Sequence, residues 1–236
     1  MIWNRGFAEQ GEADRHIALR NRPDLIPVEE RKNIVSNRVH AIDPNTDTKA
    51  RLESGLEDQA MTILKSDPKV VRISTQYGPV MFMRNGKWHQ TYFDLCVDYA
   101  NGCRTLYAIR NKKASDDLEI DLDLIREQSL HKHAHYAKLW TEEEHMTKPA
   151  IYRAWEIAAA RKAGNDDDAD LVLQALMACG GRARVAKLLC GIPGIAYSVG
   201  WSALWLLIGR GMVEHHHDEP LKTFLKKHSF VRVVEK

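Results

Sequence analysis

The chain has 236 residues, 44% of them hydrophobic, which is enough for one large or two modest globular domains. Its formal net charge of +2 excludes a strongly basic or acidic tail-like binder, and leaves nucleic-acid binding to be decided by local clustering of charge. The 4 cysteines (Cys96, Cys103, Cys179, Cys190) form no C-x-x-C pair, which argues against a zinc ribbon or a redox motif and for a reduced, cytoplasmic protein. The charged N-terminus lacks the apolar core of a signal peptide. The uncharged run 188–209 is broken by Gly191, Pro193, Gly194 and Gly200, so it reads as a buried helix and not as a membrane span.

Residues 1–45 form a polar arm. Arg15, Arg20, Arg22, Arg31, Lys32 and Arg38 are interspersed with acids, and a short helix is expected near 27–34. The plain reading is a solvated extension; the functional one is an arm laid on DNA phosphates or on a partner subunit. A helix is expected over 52–64, with Leu52, Leu56, Ala60, Ile63 and Leu64 on one face and Glu53 and Glu57 beside it. Strands follow at 70–73 and 80–83. Asn85-Gly86 supplies a tight turn into a partner strand at 91–97, and Asn101-Gly102 reverses the chain into a strand at 105–110. This order can aim a helix-borne carboxylate, Glu57, at a strand-borne one, Asp94, with Arg110 or Lys112 beside them. Two carboxylates plus a cation are the set needed to hold a divalent metal and to stabilise phosphodiester hydrolysis.

Farther on, 114–117 is a helix cap for 118–130, a strand is expected at 133–140, and Thr141-Glu142-Glu143-Glu144 is expected to start a helix. His131, His133 and His135 alternate, and their bland reading is a half-exposed strand edge. The run His215-His216-His217 reads as a solvated turn, because consecutive side chains diverge. A helix at 148–163 would turn Ile151, Ala154, Trp155, Ala158 and Ala159 to one side, and Gly164 with its following acids marks a boundary. The segment 165–236 then reads as helix 170–179, helix 182–189, helix 197–208 and a hairpin of 212–214 with 230–234. That order is a helix-turn-helix with an appended wing. Helix 197–208 offers Tyr197, Trp201, Leu204, Trp205 and Leu207 but no charge, which favours packing or a protein partner over base readout. Lys222, Lys226, Lys227 and His228 remain for phosphates.

Several of these stretches resemble the TnsA-type endonucleases of heteromeric transposases, a branch of the PD-(D/E)xK nucleases. Glu53-Ser54-Gly55-Leu56-Glu57 is similar to the family's E-S-x-L-E helix, and Asp67-Pro68-Lys69-Val70 to its D-P-x-V segment. Gln76 matches a strand-ending Gln, and Thr91-Tyr92-Phe93-Asp94 keeps the Asp of its Y-T-P-D strand but not the Pro. Asp218-Glu219-Pro220-Leu221 resembles its D-x-x-x-P-L feature. Where the family reads E-V-K or Q-V-K, a gapless alignment gives Ala108-Ile109-Arg110. The resemblance implies an α/β fold with a mixed, α+β sheet: a restriction-endonuclease-like domain at 46–164 and a winged helix at 165–236. It implies cleavage at transposon 5′ ends in double-stranded DNA, beside a DDE transposase and an AAA+ regulator. Glu57, Asp94 and the backbone carbonyl of Ala108 would hold Mg²⁺ or Mn²⁺, and Arg110 or Lys112 would be the catalytic cation. Ala108 also motivates the competing expectation, a degenerate nuclease fold retained as a DNA-binding or assembly subunit.

Overall fold

A computed structural model describes residues 39–43, 48–52, 55–114 and 116–235. The basic residues of the arm, Glu53, Ser54 and the cap residue Ser115 lie outside the described residues. The chain has mixed α/β architecture and divides into two compact units. The first takes residues up to Met61 together with Lys69–Met146, and the second takes Thr62–Pro68 and Thr147–Lys236.

In the first unit, β1 (Val39–Asp43) and β2 (Thr48–Leu52) form an antiparallel hairpin. Leu52 pairs with Val39 there, so α1 begins three residues later than the apolar spacing predicts and runs Gly55–Ser66. Glu57 and Asp58 lie in its first turn, where the helix dipole favours negative charge. The main sheet has the order β3-β4-β5-β6, from β3 (Val70–Arg84), β4 (Lys87–Tyr99), β5 (Arg104–Ile109) and β6 (Tyr136–Trp140). Its first three strands are antiparallel and β6 runs parallel to β5, so the sheet is mixed. The two strands expected at 70–73 and 80–83 are one. Gln76 (φ 56) does not end a strand but sits inside β3, beside a register shift between Tyr77 and Val80. The Asn85-Gly86 turn has positive φ at both residues (52 and 72), the backbone that lets two residues close a twisted hairpin.

Every residue of β5 is buried, as the central strand between β4 and β6 requires. The β5–β6 crossover runs through α2 (Asp116–Gln128). Leu122 and Ile125 of α2 pack in one cluster with Phe82, Phe93, Leu106 and Ala108 of the sheet. The strand expected from 133 starts only at Tyr136, because Leu130–Lys132 make a 3₁₀ turn. After β6, residues 142–146 form turns and no helix. His145 N–H donates to Thr141 O at 3.1 Å, and the next helix waits for the cap at Thr147.

The second unit contains α3 (Lys148–Ala163), α4 (Asp166–Ala178), β7 (Arg182–Arg184), α5 (Val185–Cys190), α6 (Tyr197–Gly209), β8 (Val213–His215) and β9 (Phe230–Val233). Thr147 caps α3 by accepting from Ala150 N–H at 3.3 Å. Its buried positions are Ala150, Ala154, Ile157 and Ala160; Trp155, expected inside, is 62% exposed, and Ala158 and Ala159 are exposed as well. Asn165 caps α4, so this helix begins at Asp166 and carries three aspartates in its first turn. Residues 182–184, expected as helix, pair with β9, and the small sheet has the order β7-β9-β8. Helix α6 is the axis of the core, with Ala203, Leu204, Trp205, Leu206, Leu207 and Ile208 all buried. Gly209 lets α3 approach, since a Cβ there would stand 2.6 Å from Ile157 Cγ2.

The 4 cysteines are free, and burial pushes the Cys96 thiol up to about 12. Among the described residues no helix is long and apolar enough to cross a membrane.

Candidate functional site

Asp94 lies on β4, one residue beyond the last pair of the β4–β5 ladder, Leu95↔Tyr107. That exit lets its carboxylate reach the following strand. Asp94 Oδ2 accepts the Ile109 N–H at 2.6 Å and Arg110 Nη1 at 2.8 Å. Arg110 Nη1 also donates to Ile109 O at 2.6 Å, and Arg110 N–H donates to Trp140 O at the end of β6. The guanidinium is therefore fixed where the parallel strands β5 and β6 both finish. The Asp94 side chain is 9% exposed against 39% for Arg110, so one partner is desolvated and the other faces water. Such a charge-assisted hydrogen bond outweighs an exposed ion pair, because screening reaches it from one side only.

Glu57 is also buried, in the first turn of α1 in the same unit. Ala108 is 3% exposed and its methyl belongs to the core cluster with Leu122 and Ile125. Lys112 does not continue the strand. The strand ends at Ile109, and Lys112 opens a 3₁₀ turn, Lys112–Ala114. Its Nζ donates to Glu144 Oε1 at 2.7 Å and its N–H to Glu142 Oε2 at 2.9 Å. Of the two cations considered, Arg110 is the one bonded to Asp94.

Glu142 and Glu144 were not singled out as site residues, although the T-E-E-E run was the available signal. They anchor Lys112 beside an open cleft of about 450 Å³ whose lining includes Arg126, Lys138, Thr141 and His145. His145 stacks on Trp140 at 5.1 Å. Burial, reinforced by Lys138 and Lys112 against Glu144, holds its imidazole below the usual histidine value. The three histidines of 131–135 have separate settings. His131 is in the 3₁₀ turn, His133 Nδ1 meets Tyr77 Oη at 3.2 Å, and His135 Nδ1 accepts the Arg104 N–H at 3.0 Å. His215 is buried and not a solvated turn residue, because β8 turns it inward.

No protein-family model matches this chain, and no curated protein matches it.

Proposed function

We propose that this chain is a TnsA-like subunit of a heteromeric transposition machine. In this reading a restriction-endonuclease-like domain at 46–164 and a winged helix at 165–236 act on double-stranded DNA at transposon ends, beside a DDE transposase and an AAA+ regulator. The observation that carries the reading is the 2.8 Å contact between Asp94 and Arg110, 16 residues apart in sequence. These are the positions that the resemblance assigns to the strand carboxylate and to the cation of the last motif. Within the second unit, the order α4, α5, α6 and the paired strands β8 and β9 supports the winged helix.

Within that role the chain works as a DNA-binding and assembly subunit. Magnesium takes hard oxygen ligands, usually one or two carboxylates completed by water and phosphate. Here Oδ2 of Asp94 already receives two donors, one of them a full positive charge. Residue 108 brings a buried methyl where the family has a carboxylate or amide. The donor set thus fits a divalent cation poorly, and the Arg110 guanidinium takes the place of the metal's charge. An arginine stays protonated, and its Nη1 is held on both Asp94 Oδ2 and Ile109 O, so the pair is a stable substitute.

The endonuclease reading keeps one observation of its own. Glu57 and Asp94 are both buried acids of the first unit, and buried acids recur at catalytic centres. It would use Glu57, Asp94 and the Ala108 carbonyl for Mg²⁺ or Mn²⁺, and Arg110 or Lys112 for the scissile phosphate. Incubating the full chain with supercoiled plasmid and with transposon-end duplexes in Mn²⁺, alone and with the transposase, separates the two. Assembly predicts DNA binding without metal-dependent nicking. Nicking that disappears in Asp94→Ala would establish the endonuclease, and no DNA binding under any of these conditions would overturn both.

A further inference from the structure

Strands β7 and β9 of the second unit turn Ala183 and Val231 into the core and leave the alternate residues outside. The outer face therefore carries Arg182, Arg184, Phe230 and Arg232. Cross-strand register sets Arg182 opposite Arg232 and Arg184 opposite Phe230. Both guanidiniums of β7 lie over the Phe230 ring, at 5.0 Å for Arg182 and 5.5 Å for Arg184. Arg232 is met by Glu214 of β8, whereas Arg182 and Arg184 have no carboxylate partner among the described residues. The turn leading into β9 adds Lys226, Lys227 and His228, all exposed. It is tied to this edge by Val185 N–H to Ser229 O at 2.9 Å and Ala186 N–H to Lys227 O at 2.7 Å.

We infer that this face is a nucleic-acid-binding surface, which grips the phosphate backbone of duplex DNA without reading its sequence. Glu214 offsets Arg232, so Arg182 and Arg184 leave positive charge on the face that a polyanion laid over it neutralises. Cation–π contact with Phe230 holds the two guanidiniums on the face, where their N–H groups can donate to phosphate oxygens. The occupant is DNA and not an acidic protein segment, because the exposed cations of β7 and of the 226–228 turn spread along the face, and DNA interfaces are polar and positively charged. The inference rests on the DNA reading proposed above, but on none of the residues around Asp94.

The test uses the full chain and a fluorescein-labelled 40-base-pair duplex of arbitrary sequence, followed by anisotropy over a potassium chloride series. Arg182→Ala/Arg184→Ala should weaken binding about tenfold and lower the salt slope by about 2, one for each lost phosphate contact. Arg182→Lys/Arg184→Lys, which keeps the charges, should keep the slope. Wild-type binding with an unchanged double-alanine variant would overturn the surface and leave the DNA reading standing. Failure of the wild type to bind would overturn both. Competition by polyglutamate as effective as that by unlabelled duplex would assign the face to an acidic protein instead.

Discussion

The two units handle charge in opposite ways. The first buries it: Glu57, Asp94, Arg104 and His133 are all inside. Among the described residues, His215 is the only buried polar or charged residue of the second unit, whose core around α6 is otherwise apolar and whose arginines lie on an open sheet. Buried charge is tolerated only when paired, and the first unit pairs it. Arg104 Nε reaches Asp98 Oδ1 at 2.6 Å, and Arg110 reaches Asp94. Interior pairs fix local geometry, while surface cations without a carboxylate leave their charge to solvent. The division teaches that the buried pairs of the first unit and the sheet face of the second can be altered independently.

The largest effect should come from the apolar core. Trp205→Ala should cost about 3–5 kcal/mol of unfolding free energy in denaturant titration, since it empties the site of a 1% exposed indole. A small cost would mean that α6 is not the core of its unit. Asp98→Ala should cost about 3 kcal/mol by the same method, because it removes the carboxylate that takes both Nε and Nη2 of a residue only 4% exposed. Arg110→Ala should cost less, about 1–3 kcal/mol, since the removed group is partly solvated and Asp94 keeps the Ile109 N–H.

A pH series sharpens the contrast further. Burial, then His217, Arg153 and His216, hold His215 below its ordinary 6.5. The unfolded chain therefore takes up a proton that the fold refuses. Stability from this residue is complete above 6.5 and is lost as the pH falls through and below that value. The thermal midpoint of His215→Gln should accordingly fall less than that of wild type between pH 7.5 and 5.5, read by scanning calorimetry. The smallest stability change belongs to Arg182→Ala/Arg184→Ala, within about 0.5 kcal/mol, so that a weakened DNA affinity in this variant would report on the surface and not on folding.

Much of the fold was legible where local chemistry dictates backbone. Asn85-Gly86 closes β3 and β4 because two positive φ angles suit these residues, and α3 keeps its expected bounds of 148–163 through its cap and its boundary glycine. Pattern failed where tertiary contacts decide. Residues 74–79 break the apolar alternation, yet the ladder to β4 carries β3 through them. Arg182-Ala183-Arg184 is too short to show a period, and only β9 makes it a strand. Trp155 fits an apolar helical stripe but lies one position off the face that α6 covers. At the candidate site, Asp94 and Arg110 were recoverable from short motifs. The diversion of Lys112 was not, because it depends on Glu142 and Glu144, 30 and 32 residues downstream.

The central claim is that the guanidinium of Arg110 stands where a nuclease of this type would keep its metal. Titrating Mn²⁺ into the full chain and following free Mn²⁺ by electron paramagnetic resonance tests it most directly. The account predicts no stoichiometric site in the wild type and a gain of Mn²⁺ binding in Arg110→Ala, where Asp94 Oδ2 loses its charged partner. One tightly held ion per wild-type chain, lost in Asp94→Ala, would contradict it.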